Sequence, residues 1–146
     1  MSSRDVLSPA ITRTVRDTCL CLHLQRAARA VARRFDEVMR PLGLTSGQFS
    51  LLMSLNRPEP PTIGSVAALL GMDRTTLTAN LKPLERRDLV KVTIDTADRR
   101  NRRLALTPAG RALLIAAVPV WTREHAAIDS LLSEADRLRA ELRALC

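Results

Sequence analysis

Apolar positions recur in steps of three and four from Leu20 to Leu42 (20, 24, 27, 28, 31, 35, 38, 39 and 42), the spacing of one long amphipathic helix. Pro41 and Gly43 close it, and the opposite face carries Arg26, Arg29, Arg33, Arg34, Asp36, Glu37 and Arg40, a charge run that reads as solvated. Thr45-Ser-Gly-Gln48 has the form of a capping box and opens a second helix to about Asn56, with Phe49, Leu52 and Met53 inward. Arg57-Pro-Glu-Pro-Pro61 breaks the chain. Thr62 then caps a short helix in which Ile63, Val66, Ala67 and Leu70 share a face, and Gly71 ends it. Asp73 caps the next helix, which runs to Arg87 with Leu77, Leu81 and Leu84 facing the core. Thr75, Thr76, Thr78, Ala79, Asn80 and Lys82 must then point mostly outward. Pro83 lies inside this helix, where the missing N–H predicts a bend or a weakened last turn.

Val90, Val92 and Ile94 alternate, as do Leu104 and Leu106, which predicts two strands. Their connection, DTADRRNR, is too long and too charged for a minimal hairpin turn and should project into solvent. Thr107-Pro108 starts a long helix towards Ser130, with a kink expected at Pro119, and Ser133-Glu-Ala-Asp136 caps a last helix bearing Leu138, Leu142 and Leu145. The fold class is therefore mainly α with a small β-hairpin: a winged helix-turn-helix with about six helices. Its apolar helical ends exceed what one winged module buries, which points to a dimer interface.

A chain of 146 residues fits one domain with a real core. No apolar run approaches the roughly 20 residues that span a bilayer, and the N-terminus lacks the layout of a signal peptide, so a cytoplasmic protein is expected, with no membrane partner. The formal charge is +8, and 21 of the 23 basic residues are arginine. A polyanionic partner suits such a balance, although a GC-rich genome also produces an arginine bias. Cys19, Cys21 and Cys146 have no CxxC spacing, so neither a zinc site nor a disulfide framework is indicated. Phe35, Phe49 and Trp121 are the only aromatics in the sense of Phe, Trp and Tyr, too few for single-strand binding by base stacking.

Two helices joined at Gly71 could be a plain helical hairpin. The strands that follow change that reading, because residues 73–103 hold nine basic and five acidic side chains, half the net charge in about a fifth of the length. A small polar helix face beside an arginine-tipped hairpin is what major-groove reading with phosphate and minor-groove contacts requires.

LGMDRTTLTANLKPLERRDLV followed by TADRRNRRLALTPAGRALL, with RPLGLTSGQFSLLMSL before them, resembles the MarR (multiple antibiotic resistance regulator) family across roughly residues 20–128. The resemblance implies a homodimeric repressor, with the helix from Asp73 to Arg87 in the major groove. It also implies Arg100 in the minor groove, with Asp98 holding the wing, so that Arg74, Thr75, Thr76, Thr78, Asn80, Lys82, Arg86, Asp98, Arg99, Arg100 and Arg102 are the candidate DNA-binding residues. Residues 1–146 would form a single domain, with a DNA-binding lobe at 45–107 and a helical dimerisation region at 8–44 and 108–146. Ala79 stands where similar sequences often carry a larger polar residue, and Asp88 where they commonly carry Gly.

Phe49, Met53 and Trp121 are candidates for a pocket taking a small aromatic or phenolic effector, and ordinary core is the plainer reading. Cys21 occupies a place similar to the reactive cysteine of the family's peroxide-sensing branch, without that branch's supporting tyrosines; a buried small hydrophobe is its plainer reading. His23 and His125 lack partners at ligand spacing and read as surface or interface histidines. There is no HExxH, GxSxG, P-loop or GxGxxG, so no enzyme, cofactor or metal site is expected. The expected partner is double-stranded DNA carrying a pseudo-palindromic operator. A thiol-based sensor acting through Cys21 and a winged-helix module that binds protein instead of DNA are the alternatives.

Overall fold

The computed structural model describes residues 7–146 as seven α-helices and one two-stranded antiparallel sheet. Helices α1 (Pro9–Thr18) and α2 (Leu20–Met39) lead into a 3-10 turn at Arg40–Leu42. Helix α3 (Ser46–Ser54), α4 (Ile63–Leu70) and α5 (Arg74–Arg86) follow, then β1 (Val90–Ile94) and β2 (Arg102–Leu106), then α6 (Pro108–Asp129) and α7 (Ala135–Arg143).

Local chemistry accounts for most boundaries. Gln48 N donates to Thr45 Oγ1 and Thr45 N donates to Gln48 Oε1, both at 3.1 Å, so the capping box is complete. Thr62 accepts from Ser65 N, Asp73 from Thr76 N and Thr107 from Gly110 N, which satisfies one orphan donor at the start of each helix. Gly71 leaves α4 with φ of 66°, a conformation that lets the chain reverse into the turn of the helix-turn-helix. Asp88 does the same after α5 with φ of 56°, and is the non-glycine residue in the left-handed region among the described residues.

Two expectations need correction, and one helix left no readable pattern in the sequence. Residues 9–18 form a helix of their own, separated from α2 by an extended Cys19 at φ −65°, ψ 110°; Ile11 and Val15 alone made too short a stripe to read. The helical pattern that ran to Leu42 is α-helix only to Met39, because Pro41 admits the tighter turn but not a further α turn. Ser133 does not cap the last helix: Glu134 is the boundary residue, at φ −141°, ψ 74°, and makes no side-chain cap bond. The hydroxyl lies one residue too early, and Asp136 instead accepts from Arg139 at 2.7 Å. Pro83 and Pro119 both lie inside their helices, α5 and α6, which continue beyond them. At Pro83 the flanking Leu81 and Leu84 are fully packed, and each such burial supplies about 2 kcal/mol against one lost backbone bond.

The core lies inside the winged lobe and extends between α2 and α6. Leu52, Val66, Leu77, Leu84 and Leu104 have no exposure, and Phe35, Met39, Leu114 and Ala117 continue the cluster into the long helices. Val90 pairs with Leu106 and Ile94 with Arg102 along the hairpin, whose base is tied to the preceding loop by Leu104 N to Pro61 O at 2.9 Å. Helices α1 and α7 contain no buried residue.

Candidate nucleic-acid interface

Three buried leucines fix the rotation of α5. With Leu77, Leu81 and Leu84 inward, the side chains of Arg74, Thr75, Thr76, Thr78, Asn80, Lys82 and Arg86 all stand in solvent. Thr78 Oγ1 donates to Arg74 O, which leaves its acceptor lone pairs outward. Asp73 caps the helix through a 2.7 Å bond from Thr76 N, and this backbone donor holds its carboxyl below the ordinary carboxylate range. Ala79 is exposed on the same face and offers only a methyl group.

The wing sorts its four arginines by role. Asp98 receives the Arg100 fork at 3.0 Å on each oxygen and also the Arg100 backbone N–H, while the Arg100 side chain stays 90% exposed. The Arg100 guanidinium is the main cause that lowers the Asp98 carboxyl from its ordinary value. Arg99 is exposed and has no carboxylate partner among the described residues. Arg102 folds back on the carbonyls of Arg99 and Asn101. Arg103 turns inward: it donates to Pro60 O at 2.9 Å and lies 3.4 Å from the buried Asp95, so it braces the wing.

Between the first turn of α4, the first turn of α5 and the wing lies a polar groove of about 350 Å³, lined in part by Thr62, Gly64, Ser65, Arg74, Thr78 and Arg100. Thr62, Gly64 and Ser65 were not among the DNA-binding candidates, Thr62 having been read only as a helix cap. Gly64 alone carried a usable signal, as a glycine inside a helix. A Cβ there would lie 2.7 Å from Arg74 Nη2, so the glycine makes room for the arginine to lie across α4.

A second hollow, of about 520 Å³, is apolar. Phe49, Met53 and Trp121 meet there with Leu69, Leu70 and Val118, so the three pocket candidates are adjacent, and each also packs on the core. The Trp121 and Phe49 rings stack at 6.2 Å between centroids, and His125 stacks on Trp121 at 4.5 Å. His125 is thus a member of an aromatic stack and lies 3.8 Å from Asp129, which corrects its reading as a histidine without a partner. Cys21 is exposed, with Gln25 Nε2 3.3 Å from its sulfur, which corrects its reading as a buried small hydrophobe. His23 bonds the Cys19 carbonyl at 2.8 Å. Among the described residues no cluster of His, Cys, Asp and Glu could hold a metal ion, and no helix is long and apolar enough to cross a membrane.

Comparison with known proteins gives consistent matches. The profile of the MarR family matches residues 44–101. The HTH-type transcriptional regulator SarZ of Staphylococcus aureus is 28% identical over 94 residues, 64% of each chain, so the present chain spans just under two thirds of the curated relatives it matches. The M. tuberculosis transcriptional regulator MosR, solved in complex with DNA, is 38% identical with a TM-score of 0.81, over 87% of this chain and 92% of MosR. The transcriptional repressor CouR bound to a 23-mer DNA duplex is 33% identical with a TM-score of 0.75, over 86% and 91%. CouR from Rhodococcus jostii RHA1, solved with p-coumaroyl-CoA, is 26% identical with a TM-score of 0.76, over 88% and 92%.

Proposed function

The chain belongs to the MarR family of DNA-binding transcriptional regulators, and on that premise we propose that it is a homodimeric repressor of a pseudo-palindromic operator. The observation that carries this reading is the joint exposure of a small polar helix face on α5 and an arginine tip on the wing of the same lobe. Each subunit would set α5 in a major groove, with Thr75, Thr76, Thr78 and Asn80 at base edges and Arg74, Lys82 and Arg86 at phosphates. Arg99 and Arg100 would enter the flanking minor groove. Two-fold symmetry puts the half-sites about 10 bp apart or a multiple of it.

The second subunit is a second copy of this chain. In the single chain, Ile11, Val15, Leu138 and Leu142 on the terminal helices and Leu145 just beyond α7 are exposed, and a helix with an apolar stripe is stable only when that stripe is covered. Residues 8–44 and 108–146 would supply that contact and residues 45–107 the reading head.

Selection of bound sequences from random DNA, followed by titration over a salt series, tests the reading. A palindromic motif is expected, with log affinity falling against log salt by roughly 0.9 for each phosphate neutralised. No enriched motif and a flat salt response would identify a protein-interaction module instead.

The hollow around Trp121 is proposed as the effector site, for a small aromatic or phenolic group. Its walls are apolar rings and aliphatic chains, which suit a planar ring, and CouR from R. jostii holds p-coumaroyl-CoA. Trp121 is the one tryptophan, so a hydroxylated cinnamate or benzoate should quench its fluorescence and weaken operator binding together. A ligand can do so only through different affinities for the two spacings of the heads. Exposure of Cys21 in the single chain favours a second reading, release by peroxide. A Cys21→Ser variant that responds to peroxide like wild type would eliminate it.

A further inference from the structure

Arg87 sits in the run of basic residues at the end of α5, where a phosphate contact is the obvious assignment. Its fork points elsewhere. Arg87 Nη1 donates to the carbonyl of Gly43 at 2.7 Å, across a sequence separation of 44 residues. Gly43 closes the 3-10 turn at the end of α2, with φ of 67°, and the space where its Cβ would be is 3.2 Å from Arg87 Nη2. The guanidinium therefore lies directly over the left-handed turn. Gly43 N is bonded to Arg40 O and Leu44 N to Met39 O, so this turn is itself a rigid continuation of α2. At the other end of the contact, Leu89 N to Leu84 O and Asp88 N to Glu85 O lock the C-terminus of α5. Two stiff helix ends are joined by one charged donor.

We infer that Arg87 is a positioning residue for DNA reading: its bond to Gly43 fixes the angle of α5 against α2, and so the separation of the two reading heads. The inference rests on the proposed dimer, in which α2 belongs to the shared helical half and α5 to the head. Without the bond, the head remains folded on its leucine core but is free to swivel by small amounts about the α2 end. A swivelling head loses affinity for the best half-site spacing and loses discrimination against wrong spacings. Its bond to Gly43 uses one of five guanidinium donors, so the salt slope is the readout that separates this positioning role from a phosphate contact.

The test uses the full chain, its selected operator, and operators with one base pair added or removed between the half-sites. Arg87→Ala is expected to bind the operator about fivefold more weakly, with an unchanged salt slope and a smaller penalty for the altered spacings. Arg99→Ala serves as the contrast: its salt slope should fall by about 0.9 per phosphate lost, with the spacing penalty intact. Gly43→Ala keeps all the charge but crowds the fork and strains the turn, and it should reproduce the loss of spacing discrimination. Combining it with Arg87→Ala should add nothing further, as expected for partners in one interaction. Should Arg87→Ala fail to fold, Arg87→Gln, which keeps an amide donor without charge, should retain both the slope and part of the spacing penalty. A reduced slope in Arg87→Ala or Arg87→Gln would make Arg87 a phosphate contact and overturn the inference. An unchanged spacing penalty in both Arg87→Ala and Gly43→Ala would overturn it equally. A wild-type protein that selects no operator would instead overturn the repressor reading itself.

Discussion

Asp98 holds the Arg100 fork through both of its oxygens while the arginine remains in water, and this exposure sets what the pair can and cannot do. A solvated ion pair contributes little to stability, so its purpose is to aim the guanidinium. Arg100→Ala should weaken operator binding by about 1–2 kcal/mol while leaving the melting temperature and the dimer nearly unchanged. Gel shift and a thermal melt on the same preparation check this, and a variant that unfolds or falls into monomers would show that the wing packs on something. Arg103, three residues on, has the opposite character: half-buried and bonded to Pro60 O and Asp95, it is part of the wing's base. Sequence composition treats Arg87, Arg99, Arg100, Arg102 and Arg103 alike, because charge counts carry no direction. Only the fold separates arginines that point to solvent from those that fasten one segment to another.

Among the elements, those with local causes were the legible ones. Thr45, Thr62, Asp73 and Thr107 accept the bonds their positions promised, because a cap acts within three residues of itself. Ser133 failed for the same reason in reverse, since a start displaced by one residue removes the donor it needed. The end of α5 yields a prediction of its own. Asp88 carries a side chain in the left-handed region at φ 56°, and there glycine has no Cβ penalty. Asp88→Gly should therefore stabilise the fold by about 0.5–1 kcal/mol, measured as a higher midpoint in urea with an unchanged slope. A lower midpoint would mean that the Asp88 carboxylate makes a contact worth more than the strain.

At the scale of the whole molecule, α1 and α7 show why one copy is incomplete. Neither has a buried residue, yet both carry regularly spaced leucine, isoleucine or valine. Leu138→Glu together with Leu142→Glu should convert the protein to a monomer, seen as halved mass in sedimentation at micromolar concentration. Operator affinity should then fall steeply, because two half-sites are no longer engaged at once. A double variant that stays dimeric would place the interface elsewhere.

The sequence by itself determined the parts whose physics is local: the helical and strand periods, the caps, the exposed face of α5 and the excess of positive charge from 73 to 103. That Phe49, Met53 and Trp121 face inward was also legible from their apolar character and helical spacing, whereas their meeting around one hollow was decided by the fold. Tertiary structure alone decided how segments far apart in sequence meet. It turned Arg87 onto Gly43 and Arg103 onto Pro60, laid Arg74 in the space left by Gly64, and set His125 into the stack on Trp121. Those contacts depend on where two helix ends come to rest after the leucine core closes, and no period or cap within either segment encodes that distance.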